Sequence, residues 1–234
     1  MLPPFLAHRA LTTGGRRDEV GERWVGAWCS AMLRLFGVQV VVHGIPPAPA
    51  RGRMVVANHR STADILVLLR VFGGRMVSRA DLARWPLLGA AARAVGTVFV
   101  DRSNAVSGAV AVRSVRRCLA SGATVTVFPE GTTFPGDDVR PFHAGAFVAA
   151  RHSGAELVPA GLAYETGSGA QFVNESFPAH LARMAAAEPS HVVMCIGAPM
   201  TIDDATRAAD LRDRAQVAVQ RLVLEARRLV DGRG

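Results

Sequence analysis

Lysine is missing altogether from this 234-residue chain, so its formal net charge of +8 is carried by arginine alone. An excess of base admits three partners: nucleic acid, an anionic membrane surface or an anionic substrate. Aromatic residues are scarce as well, at 6% of the chain. With no aromatic stacking platform, no Arg-rich recognition helix and no zinc-ligand spacing, no nucleic acid is expected as a partner, and an anionic membrane surface is preferred. Only three cysteines occur, Cys29, Cys118 and Cys195, far apart and in apolar or helical settings. They predict reduced core thiols rather than a disulfide framework or a zinc site. No uninterrupted apolar run reaches about 18 to 20 residues, which argues against a spanning helix, and the first residues lack a signal-peptide layout. Repeats and long low-complexity tracts are absent too. Residues 1–16 read as a flexible N-terminal tail, and Pro46–Pro49 and Thr166–Ala170 as loops.

What is present is the profile of a packed globular protein, 50% hydrophobic and 20% charged. Helices are expected near 17–36, 62–72, 86–94, 105–120, 144–153 and 203–230, and strands near 38–42, 53–57, 76–78, 97–100, 124–128, 157–162 and 191–196. Such alternation predicts an α/β fold: one domain over 17–234, a sandwich with a largely parallel or mixed sheet flanked by helices. In the N-terminal amphipathic helix, Val20, Trp24, Val25, Trp28, Met32, Leu35 and Phe36 form a broad stripe interrupted by Arg23 and Arg34. Two Trp with Arg flanks suit an element lying in a bilayer interface, while a stripe of this kind also suits packing on the sheet.

The run Val55-Val56-Ala57-Asn58-His59-Arg60-Ser61-Thr62-Ala63-Asp64-Ile65 places a base and a carboxylate where a strand gives way to a helix. An imidazole is suited to moving a proton near neutral pH, and a carboxylate on one ring nitrogen fixes its tautomer and steadies the imidazolium. Residues five apart on a regular helix point roughly 140° away from each other. His59 therefore has to sit in the turn before a helix whose first turn carries Asp64, with Ser61 or Thr62 as N-cap. Ser61-x-x-Asp64 also fits a plain capping box. No Ser or Cys stands beside the pair as an obvious nucleophile, so direct attack by a substrate group is expected rather than a covalent enzyme intermediate.

Three further apolar runs end in polar or glycine-containing turns: Gly96–Val100 before Asp101-Arg102, Thr124–Phe128 before Pro129-Glu130-Gly131-Thr132-Thr133, and Leu157–Leu162 before Ala163-Tyr164. In sheets with helical crossovers, residues beyond the carboxyl ends of strands gather along one edge, so these turns are expected to line one cleft.

In this order, Asn58-His59 with Asp64, Gly96 through Arg102, Phe128-Pro129-Glu130-Gly131-Thr132 and the run with Val158-Pro159 resemble the motifs of the PlsC-type glycerolipid acyltransferases, also called lysophosphatidic acid acyltransferases. Trp85-Pro86-Leu87-Leu88-Gly89 and Pro141-Phe142-His143-Ala144-Gly145-Ala146 continue the resemblance, which covers about residues 24 to 200. Two departures stand out: Thr133 where many relatives have Arg, and Arg79 where many have Lys. The Thr132-Thr133 form, with Phe177-Pro178-Ala179-His180-Leu181, looks like the branch that includes lyso-ornithine lipid acyltransferases.

The resemblance implies acyl transfer from an acyl thioester, acyl-CoA or acyl carrier protein, to the hydroxyl of a lysolipid. The expected acceptor is 1-acylglycerol-3-phosphate, giving phosphatidic acid, with lyso-ornithine lipid as the alternative. It implies no permanently bound cofactor, a location on the cytoplasmic face of the membrane, and 17–36 as a membrane-interface helix; no metal is expected either. His59 and Asp64 become the catalytic pair. Arg102 binds an acidic head group, for which a guanidinium fork is suited. Glu130, Gly131 and Thr132 form the rest of the acceptor site: Gly131 through close backbone approach, Thr132 through its hydroxyl and amide, Glu130 by holding Arg102 or a head-group hydroxyl. Read alone, Arg102 fits a surface ion pair with Asp101, and Pro129–Thr132 a plain turn. Two other classes stay open: a metal-dependent phosphoesterase using His59, Asp64 and Glu130, and a non-catalytic lipid-binding protein. His143 is the third candidate ligand with His59 and Asp64 for a metal, and closely spaced ligand pairs are absent.

Overall fold

A computed structural model describes residues 16–48, 52–80, 83, 89, 92–93, 96–101, 105–203 and 205–232. The elements run α1 (Arg16–Leu35), β1 (Val38–His43), β2 (Arg53–Ala57), α2 (Ala63–Phe72), β3 (Arg75–Arg79), β4 (Val98–Val100) and α3 (Ala105–Ala120). They continue with β5 (Thr124–Val127), α4 (Gly145–Ala150), β6 (Glu156–Tyr164), α5 (Phe177–Ala186), β7 (Ser190–Ile196), β8 (Met200–Thr201) and α6 (Ala208–Asp231).

The eight strands form one sheet in the order β1, β7, β6, β2, β5, β3, β4, with β8 pairing β6 off that path. From β6 to β4 all neighbours are parallel. β7 then runs antiparallel to β6 and carries β1 parallel to itself. The sheet is therefore mixed, with a parallel block whose carboxyl ends share one edge. Every residue of β2 is buried, as expected of a central strand covered on both faces.

Alternation along the strands divides the core. Val55, Ala57, Met76 and Phe128 face α1, α2 and Met184 of α5. Met54, Val56, Val125 and Val127 face the other way, into the layer that holds Val115 and Leu119 of α3, Phe147 of α4 and the first half of α6. The second half of α6 covers β6 and β7 through Leu222, Ala226 and Val230. Gly161 makes that contact possible: a Cβ there would lie 2.4 Å from the backbone of Leu222 and Val223.

The apolar stripe of α1 is largely a core element. Val25, Cys29 and Leu33 are buried, and Trp28, Met32 and Phe36 pack half-buried on the same cluster. Arg23, Arg34 and Leu35 are exposed. No helix of the described residues is long and apolar enough to cross a membrane. Two elements had not been expected. α5 carries a local start signal, since Ser176 is its N-cap and accepts from the Ala179 amide, with a proline in the first turn. β8 is two residues long, too short for any periodicity. Most of the helix expected at 86–94, and the tail expected at 1–16 up to residue 15, lie outside the described residues.

Candidate active site

The turn after β2 is pinned before it carries chemistry. Asn58 is fully buried; its Nδ2 donates to the Leu162 carbonyl at 2.9 Å and its Oδ1 accepts from the Leu162 amide at 2.8 Å. This two-way amide pair ties the turn to β6 and sets His59 at the open edge of the parallel block.

His59 Nδ1 lies 2.9 Å from Asp64 Oδ2. The same oxygen accepts from the Arg60 amide at 2.6 Å and the Ser61 amide at 2.8 Å, while Oδ1 accepts from the Tyr164 hydroxyl at 2.6 Å. A carboxylate buried as completely as Asp64 is tolerable only with donors of this kind. Burial first, and then the negative charge of Asp64, push the Tyr164 phenol well above its ordinary range, so it remains an O–H donor. All these donors define Asp64 as an acceptor, so the His59 proton belongs on Nδ1 and the lone pair on Nε2. Nε2 has no partner among the described residues. The ring stacks on Phe128 with centroids 4.0 Å apart and planes at 7°, and its side chain is 16% exposed.

Asp64 makes both contacts its local sequence allows: its bond from the Ser61 amide is the return half of a capping box, and its bond to Nδ1 orients the His59 ring. The forward half is displaced by one residue, because Ser61 Oγ accepts from Ala63 rather than Asp64.

Beneath His59 lies a second buried pair. Glu130 Oε1 accepts from the His59 amide at 2.9 Å and from Arg60 Nη1 at 3.0 Å; Oε2 accepts from Arg60 Nη1 and the Arg140 amide, both at 3.0 Å. Arg60 also donates to the carbonyls of His59 at 2.9 Å, Asp138 at 2.8 Å and Gly136. The sequence expectation gave Glu130 the task of holding Arg102 or a head-group hydroxyl. In the structure its carboxylate holds Arg60 and the turn of His59, and Arg102 lies outside the described residues. Asp101, just before it, follows β4, three strand spacings or roughly 14 Å from β2.

Gly131 adopts φ 87°, the left-handed turn conformation that favours glycine, and its amide closes on the Phe128 carbonyl at 3.1 Å. Thr132 is exposed beside it. His143 is exposed, and among the described residues no group of three or more His, Cys, Asp or Glu is arranged to hold a metal. The three cysteines are free and buried; burial pushes the Cys29 thiol up to about 12 and the Cys195 thiol up to about 11. Arg60 and Tyr164 are the members of the site that the sequence did not single out. Arg60 stood inside the motif, and Tyr164 is the one tyrosine of the chain.

The acyltransferase family model matches residues 39–163, which contain every element of this site except Tyr164. The chain belongs to that acyltransferase family. A lyso-ornithine lipid O-acyltransferase of Pseudomonas aeruginosa is 29% identical over 224 residues, 94% of this chain and 85% of that protein. One of Rhizobium meliloti is 36% identical over 130 residues, 55% of this chain and 44% of that protein. A 1-acyl-sn-glycerol-3-phosphate acyltransferase of Neisseria gonorrhoeae is 32% identical over 133 residues, 56% of this chain and 52% of that protein. The chain thus spans about half the length of the latter two relatives. The crystal structure of the acyltransferase PlsC from Thermotoga maritima has the same fold, with a TM-score of 0.75 at 23% identity, over 94% of this chain and 86% of that one.

Proposed function

We propose that this acyltransferase moves a fatty acyl group from an acyl thioester to the hydroxyl of a lysolipid, with His59 as general base. The observation that carries the reading is the division of labour on one ring: Nδ1 committed to a fully engaged Asp64, and Nε2, at the open edge of the sheet, without a partner among the described residues. Nε2 takes the hydroxyl proton as that oxygen attacks the thioester carbonyl. The tetrahedral intermediate collapses, the C–S bond breaks, and the imidazolium returns the proton to the departing thiolate. Asp64 steadies the imidazolium between these steps. Direct attack agrees with the cysteines, whose buried thiols are held in their protonated form at Cys29 and Cys195.

Arg102 takes the acidic head group, Gly131 and Thr132 line the acceptor side, and Glu130 acts from beneath by holding the turn. The acceptor is 1-acylglycerol-3-phosphate. Lyso-ornithine lipid is the second reading, supported by Thr133 and by the match over 94% of this chain. Acyl-CoA or acyl carrier protein supplies the acyl group. The enzyme works on the cytoplasmic face of an anionic membrane, to which exposed Arg23, Arg34 and Leu35 of α1 offer charge and apolar contact.

The test is incubation of purified protein with each lysolipid and each thioester donor, with and without chelator, read by mass spectrometry. New ester with equimolar thiol, unaffected by chelation, supports the reading. Phosphate release lost on chelation would replace it with the phosphoesterase, and thioester left intact with both lipids would overturn it.

A further inference from the structure

Outside the family-matched residues, one buried cluster reaches back to the catalytic turn. His180 of α5 is fully buried, and its Nε2 lies 3.4 Å from the Thr62 amide, at the start of the helix that carries Asp64. The Thr62 side chain makes no capping bond there. On the other side of the ring, Nδ1 lies 3.0 Å from Glu175 Oε1. Arg183 donates to both oxygens of Glu175, at 2.5 to 3.2 Å, and to the carbonyls of Gly169 and Gln171. Phe172 packs edge-on against the ring with centroids 5.4 Å apart, and its amide donates to the Arg60 carbonyl at 2.9 Å. The segment from Gly169 to α5 is therefore fastened to the catalytic turn at two points, Arg60 and Thr62.

The tautomer follows from the partners. Arg183 holds the Glu175 carboxyl down at about 2, so that oxygen only accepts and Nδ1 must donate. The Thr62 amide only donates, so Nε2 must accept. Both demands select the Nδ1–H form, and the 3.3 Å approach of Arg183 Nη2 to Nδ1 is then proximity without a bond. Burial lowers the pKa of His180, in keeping with a neutral ring.

We propose that His180 is a positioning residue for acyl transfer: fixed as the Nδ1–H tautomer by Glu175 and Arg183, it holds the start of α2 through the Thr62 amide. It thereby sets where Asp64 holds the His59 ring. The proposal rests on the acyl-transfer reading above, and its test separates the two. His180→Leu, which removes the acceptor, lowers kcat about tenfold with both KM values within about twofold, as expected when placement rather than binding is lost. His180→Gln, whose Oε1 can accept from Thr62, recovers kcat to within about threefold of wild type. Where His180→Leu does not fold, His180→Phe, which keeps the ring and drops the acceptor, takes its place. Independently of turnover, the imidazole 15N spectrum of the wild type shows His180 protonated at Nδ1. Wild-type kcat in a folded Leu or Phe variant, equal losses in Gln and Leu, or an Nε2–H ring would each overturn the proposal. Absence of turnover in the wild type with both lysolipids would instead overturn the acyl-transfer reading, and the tautomer would still decide whether His180 holds the start of α2 as its acceptor.

Discussion

The fully buried Asp64 carboxylate accepts four hydrogen bonds, each of which can be removed by itself. Tyr164→Phe leaves Oδ1 buried and unpaired, and is expected to cost about 1 to 3 kcal/mol of stability and to lower kcat, read by thermal melting and turnover. An unchanged melting temperature would show that Oδ1 finds another donor. Asp64→Asn sets an amide against the Arg60 and Ser61 amides and lowers kcat further. His180 gives a pH signature. Its folded pKa is lowered below the ordinary 6.5 by burial, so the unfolded chain binds the extra proton first as pH falls. Stability is therefore fully present above about 6.5 and declines as the pH drops through the folded value. Glu175 adds to the decline below about 4.5, where the unfolded chain begins to bind its proton, and down to its folded value of about 2. Charges facing the ring are Glu175, Arg183 and Asp64, and His180→Gln should flatten the decline just below neutrality in melts recorded against pH; an unaltered slope would place it elsewhere. The pair His59 and Asp64 was legible because both sit in one short run whose spacing demands a turn before a helix. Arg60 with Glu130 and Tyr164 with Asp64 were not, since those partners lie 70 and 100 residues apart and nothing local encodes which buried charge meets which.

Elements repeat this division between local and distant signals. The β2 and β5 runs and the turns after them were readable from apolar runs ending in polar or glycine-containing segments, and the sheet does bring them together at His59, Phe128 and Glu130. α5 is not legible in the sequence although Ser176 and Pro178 mark its start, because its short apolar face offers little periodicity. The side of α1 that meets the core could not be read from the stripe alone: amphipathic spacing describes a helix on a sheet and a helix on a bilayer equally well. With Trp28 packed inward, Trp28→Ser should destabilise the fold, whereas Leu35→Ser, at a residue 68% exposed, should leave melting unchanged and weaken vesicle binding. Equal melting for both variants would reverse that placement. At the contact of β6 with α6, Gly161→Ala pushes a methyl into backbone atoms at 2.4 Å and should cost about 1 to 3 kcal/mol, measured by denaturant unfolding. A neutral result would mean that α6 can shift freely.

For the whole molecule, a charge of +8 with no lysine would make the proposed binding to an anionic bilayer electrostatic in large part. Flotation with anionic vesicles should therefore weaken as salt rises and the screening length shortens. Arg23→Gln with Arg34→Gln should weaken it at low salt by about 1 kcal/mol per residue near the surface. Binding indifferent to salt and to both substitutions would move the docking surface away from α1. The arrangement of the molecule converges on one atom, His59 Nε2: the parallel block delivers it, Asn58 and Glu130 fix its turn, and Asp64 sets its tautomer. The most direct measurement is the rate of ester formation from acyl thioester and lysolipid by His59→Ala, with circular dichroism confirming the fold. General-base catalysis by His59 predicts a loss of roughly two to four decades with the spectrum unchanged. A folded His59→Ala protein that forms ester at the wild-type rate would contradict it.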